Sequence, residues 1–157
     1  MKNDKIIEEI NIELKQIDEL LSKYDLLLRE IKNREPNFIE LGSLSVLLHS
    51  FYTGIENIFI RISKRIDNSF PDGTMWHKEL LEQMSKKSLN RNISVISKET
   101  YEILEKYLGF RHLFRHNYVF NLTWDLMKDL VIDINNFYTE FKNEIREFIK
   151  NFLKINE

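Results

Sequence analysis

Phe38-Ile-Glu-Leu-Gly-Ser-Leu-Ser-Val-Leu-Leu-His-Ser-Phe-Tyr-Thr-Gly-Ile-Glu-Asn-Ile-Phe-Ile-Arg-Ile-Ser-Lys-Arg-Ile66 decides the fold class. Leu44, Leu47, Leu48, Phe51, Ile55, Ile58, Phe59, Ile62 and Ile66 recur three and four apart, the spacing that stacks side chains on one side of a helix. Gly42 and Gly54 fall inside it and cost helix propensity. Gly54 lies one turn from Phe51 and Ile58, so close approach of a second helix is the reason to expect for it. Tyr52 and Glu56 sit beside this face, either as buried polar partners or as support for a basic segment further along.

Before this stretch, Ile7, Ile10, Leu14, Ile17, Leu21, Tyr24, Leu28 and Ile31 keep a seven-residue repeat. The repeat predicts a helix from about Asp4 to Asn33, its stripe facing a core or a dimer seam. Pro36 stops it, because the residue before a proline avoids the helical region.

After it, Asn68 to Gly73 carries the clearest turn signal, Phe-Pro-Asp-Gly. A short helix from about Met75 to Lys86 follows on Trp76, Leu80, Leu81 and Met84, with His77 at its start as a packed or solvent-facing residue. Lys86 to Ser94, with Lys86, Lys87 and Arg91, reads as a solvated loop or a patch that tracks phosphates. Ser97 caps a third long helix, with Glu99 in its first turn. A last helix starts near Asn121 or Thr123 and runs to about Lys154 on Leu126, Leu130, Ile134, Phe137, Phe141, Ile145, Phe148 and Phe152.

The expected architecture is all-α: an antiparallel helical bundle of four long helices plus one short helix, a single domain over residues 1–157. No strand alternation competes with it. The chain is 43% hydrophobic and 31% charged, which is globular rather than disordered. Without cysteine it has no disulfide and no thiolate metal site, which fits a cytoplasmic setting. No apolar run approaches the roughly 20 residues of a membrane span, so no membrane partner is expected. A net charge of −2 means that any nucleic-acid binding must come from a local patch.

Tyr107-Leu-Gly-Phe-Arg111-His112-Leu-Phe-Arg115-His116-Asn117-Tyr118-Val-Phe120 is that patch. It concentrates two Arg and two His, the side chains that bind a phosphate and move a proton near neutral pH. Arg111/Arg115 and His112/His116 each share a helix face. Arg111 and His116 are five apart and point about 140° away from each other in an unbroken helix. For both to meet one phosphate, the helix must loosen here, as Asn117 would favour, or the two must meet across a subunit boundary. Two other readings stay open: the His pair as metal ligands, and a structural cluster that pairs with carboxylates of neighbouring helices.

At these residues the sequence resembles HEPN-domain proteins, specifically the HepT-like ribonuclease toxins of prokaryotic toxin–antitoxin pairs. Their signature is Arg, a short spacer, His, one residue and Tyr, matched by Arg111, His116 and Tyr118. Residues 51–59, FYTGIENIF, and 70–84, FPDGTMWHKELLEQM, are similar to the same branch. The resemblance implies a HEPN-like bundle and a homodimer whose motifs face each other across a cleft. It implies metal-independent cleavage of an RNA substrate, with no cofactor. Arg111 and His116 would be the catalytic pair, supported by His112, Arg115, Asn117 and Tyr118. His112 stands where Asn or Asp is common. Tyr118 matches the tyrosine that a cognate antitoxin, an MNT-type nucleotidyltransferase, modifies with AMP in some members. The rivals are a non-catalytic HEPN module that binds RNA, nucleotide or a partner protein, and a bundle without phosphate chemistry.

Overall fold

A computed structural model describes residues 3–154. Seven α-helices follow in order: α1 (Asp4–Lys23), α2 (Asp25–Glu30), α3 (Phe38–Ile62), α4 (Trp76–Met84), α5 (Lys98–His116), α6 (Trp124–Ile132) and α7 (Ile134–Phe148). Wide π-type turns extend α3 over Ser63–Asp67 and α7 over Ile149–Leu153. The fold is all-α, and among the described residues there is no strand.

α3 is the central rod because it is apolar on several sides. Asn37 opens it: the Asn37 side chain accepts from the Glu40 amide at 2.9 Å, and the Glu40 carboxylate accepts from the Asn37 amide at 2.9 Å. The Arg34 guanidinium also grips Glu40, and this contact and the Asn37 amide hold its carboxyl down at about 2. Helices α1, α4, α5 and α6 all pack on α3. The buried apolar side chains form one continuous cluster around Leu47, Phe51, Ile55, Ile58 and Phe59.

Gly54 explains itself in this setting. A Cβ there would stand 2.8 Å from Ile17 Cγ1, so α1 and α3 approach closely only because the side chain is missing. The α1 stripe faces this core, with Ile10, Leu14, Ile17 and Leu21 buried, and is not left for a second chain.

By length and composition Phe38–Asp67 is apolar enough to cross a membrane, contrary to the expectation that no run approaches that length. Four helices pack against it, and Leu44, Leu47, Leu48, Phe51, Ile55, Ile58, Phe59 and Ile62 are buried between them. The first and last long helices are each divided. At Tyr24 (φ −96°, ψ 0°) the phenol donates to the Ser43 carbonyl at 2.9 Å and ties the bend to α3. At Asp133 (φ −89°, ψ 0°) the break follows Leu130, whose carbonyl accepts from the Tyr107 hydroxyl at 2.8 Å. Thr123 precedes α6 but makes no side-chain cap.

Within residues 86–94 Arg91 departs from both readings, being neither solvated nor free to track a phosphate. Lys86 and Lys87 are exposed, but Arg91 is fully buried. Its guanidinium forks onto Asp67 and donates to the Lys86 and Ile93 carbonyls at 3.0 and 2.8 Å. Asp67 lies at the end of the π turn after α3, so the pair staples α3 to the segment that leads into α5.

Candidate functional site on α5

Ser97 caps α5, accepting from the Thr100 amide at 3.1 Å. The helix then runs without interruption through His116. It stops at Asn117 (φ −135°, ψ 154°), whose Nδ2 donates to the Leu113 carbonyl at 2.9 Å. That bond satisfies one of the carbonyls a helix end leaves without a partner. Loosening between Arg111 and His116 is therefore not found; the helix gives way only after His116. Within one chain the two side chains leave the helix about 140° apart. Arg111 is partly buried and His116 exposed.

Arg111 faces inward between α3 and α4. Its Nε is buried and has no hydrogen-bond partner among the described residues. Such an orphaned buried donor calls for an explanation, since burial without a partner is costly. On the α3 side stand His49 and Tyr52. His49 packs on Phe114 with ring centroids 5.2 Å apart. Burial, then the charges of Arg111 and Arg115, hold its imidazole below the usual range. Tyr52 is buried, and burial, then the charge of Glu56, pushes its phenol up.

His112 and His116 share one face of α5, their ring centroids 4.4 Å apart. Among the described residues no three His, Asp or Glu side chains gather as a metal site requires. Arg111, His112, Arg115 and His116 make no ion pair among the described residues, whereas Arg29, Arg34, Arg61, Arg65 and Arg91 each pair with a carboxylate. The reading of a structural cluster held by neighbouring carboxylates finds no support in this geometry.

Past Asn117 the chain presents aromatic surface. Tyr118 and Phe120 are 73% and 68% exposed, their rings stacked at 5.3 Å and nearly parallel. Val119 between them reaches back to α3, where a Cβ on Gly42 would meet its Cγ2 at 3.7 Å. Ile39, Val46 and Leu126 are exposed as well. A stacked aromatic pair thus follows the exposed imidazoles at the end of α5.

One pair was not singled out together from the sequence. Glu56, buried in α3, accepts from His77 Nδ1 at 2.7 Å. The His77 ring stacks on Trp76 at 3.6 Å. A cleft of about 430 Å³ joins His77 and Lys78 of α4 to Glu105, Arg111 and His112 of α5. The signal available in the sequence was Glu56 itself: a carboxylate inside an apolar helix needs a partner from elsewhere.

Residues 43–152 match the family model of the HepT-like proteins. No curated protein matches the chain, and no solved structure does.

Proposed function

The chain belongs to the HepT-like family, and on that premise we propose that it is a metal-independent endoribonuclease, the toxin of a prokaryotic type VII-like toxin–antitoxin pair. Cleavage of this kind needs three things. The 2′-OH must lose a proton and attack the adjacent phosphorus, the leaving 5′ oxygen must gain one, and the charge on the phosphoryl oxygens must meet a fixed cation. Arg111 is the cation and His116 a proton carrier. DNA lacks the 2′-OH and is spared.

The observation that carries the reading is a basic cluster without internal counter-ions. Arg111, with its Nε orphaned, and exposed His112, Arg115 and His116 form no ion pair with a carboxylate among the described residues. An RNA phosphate supplies the missing negative charge.

Because α5 sends Arg111 and His116 different ways, the site is composite. Two copies related by a twofold axis bring the Arg111 of one chain toward the His116 of the other. The exposed apolar surface of Val119 and Phe120, in the segment that follows His116, supports a homodimer there. Tyr118 is the candidate for AMP transfer by an MNT-type nucleotidyltransferase antitoxin. Its exposure permits modification, and the added charge and bulk would repel and block an RNA phosphate.

The test is incubation of pure protein with RNA in EDTA, beside His116→Ala. Wild-type cleavage with loss in the variant is expected. Binding without cleavage by the wild type would favour the non-catalytic HEPN module, for which the divergence of Arg111 and His116 within one chain is the specific argument.

A further inference from the structure

The Glu56–His77 pair has the form of a proton-transfer device. An ionised carboxylate can only accept a hydrogen bond, so at 2.7 Å His77 Nδ1 carries the hydrogen. That leaves the Nε2 lone pair available, and among the described residues no hydrogen bond engages it. The carboxylate fixes tautomer and ring orientation, and would stabilise the imidazolium that forms when Nε2 takes a proton. Trp76, stacked on the ring at 3.6 Å, restrains its plane. Glu56 is buried in α3, the helix on which α1, α4, α5 and α6 pack, so the device has a firm base.

Its location gives it a use. His77 lines the cleft of about 430 Å³ that also contains Arg111 and His112. The charged and titratable groups facing this cleft are Glu56 behind His77 from α3, His77 and Lys78 from α4, and Glu105, Arg111 and His112 from α5. Four of these carry or can carry positive charge, which suits a phosphodiester.

We propose that His77 is a catalytic residue, the general base for the 2′-OH of an RNA phosphodiester bound against Arg111, with Glu56 as its positioning residue. This rests on the ribonuclease reading and deepens it, because it supplies the second proton carrier from the same protomer as Arg111. The 2′-OH proton passes to His77 Nε2 as the bond from the 2′ oxygen to phosphorus forms. The bond from phosphorus to the 5′ oxygen breaks, and that oxygen takes a proton from the imidazolium of His116 of the partner subunit. The products are a 2′,3′-cyclic phosphate and a free 5′-hydroxyl. Solvent then returns both imidazoles to their starting states.

The test compares wild type, His77→Ala and Glu56→Gln in cleavage of a fluorescent RNA in EDTA, from pH 5 to 9. His77→Ala is expected to lower the rate about 100-fold and to remove the limb on which rate rises with pH. Glu56→Gln keeps the hydrogen bond and removes the charge. It is expected to slow cleavage about tenfold and to move that limb to lower pH, which a merely structural pair would not do. Should circular dichroism find His77→Ala unfolded, Glu56→Gln carries the test. Wild-type rate and pH profile in the folded variants would overturn the assignment of His77 and leave the ribonuclease reading intact. Wild-type protein that leaves RNA uncut would overturn that reading, and the role of His77 with it.

Discussion

Arg91 and Asp67 form a fork withdrawn from solvent, with Nε–Oδ1 at 2.6 Å, Nη2–Oδ2 at 2.7 Å and the two side chains 0% and 1% exposed. Asp67 also accepts from Gln83 Nε2 at 2.7 Å, so three segments converge on one carboxylate. Asp67→Ala would strand a buried guanidinium. A loss of about 3–5 kcal/mol in urea unfolding is expected. A loss below about 1 kcal/mol would mean that water reaches Arg91 and that the staple is not a staple.

Arg111→Lys keeps the charge but loses the planar fork that matches phosphate oxygens. A drop of about 100-fold in RNA cleavage is expected, with the thermal midpoint little changed. Undiminished cleavage in a gel assay would remove phosphate clamping from the role of Arg111.

Phe120→Glu places a charge in the exposed aromatic surface beside His116. Sedimentation is expected to find a dimer for wild type and monomer for the variant, with cleavage falling in parallel. A dimer unaffected by the change would put the interface on another face.

His49 makes the fold sensitive to acid. Burial and the charges of Arg111 and Arg115 set its folded value below the unfolded one of about 6.5. The unfolded chain therefore binds the proton more readily, and stability falls as pH falls. The contribution is complete above about pH 6.5 and is lost as pH drops through the folded value. His49→Gln has no such proton to take up. Urea titrations at pH 7 and pH 5 should show a smaller pH dependence in the variant than in wild type. Equal dependence would mean that His49 stays solvated.

The periodic parts of the chain were legible because they are local. Pro36 ends the first helical pattern, Ser97 caps α5, and Gly54 sits at the close approach of α1 and α3. The bends at Tyr24 and Asp133 were not legible, since both go with hydroxyl bonds tied to distant segments. Asp67 and Arg91 stand 24 positions apart, and Glu56 and His77 stand 21 apart. Nothing in periodicity says which carboxylate a given cation will meet. Arg91 in particular sat among lysines in a polar run, and only the Asp67 fork distinguishes it from them. The chemistry of residues 111–118 could be read as a set, but spacing could not say that α5 stays intact through His116.

The similarity to HepT-like proteins starts at residue 43, whereas α1 ends at Lys23. Yet α1 supplies Ile10, Leu14 and Ile17 to the interior, and its Leu14 carbonyl accepts from the Tyr138 hydroxyl at 2.8 Å. A gene trimmed to the recognisable segment would therefore open an oily trench along α3 and α7. Such a fragment should precipitate on expression, because the recognisable region leaves out a helix that covers its interior.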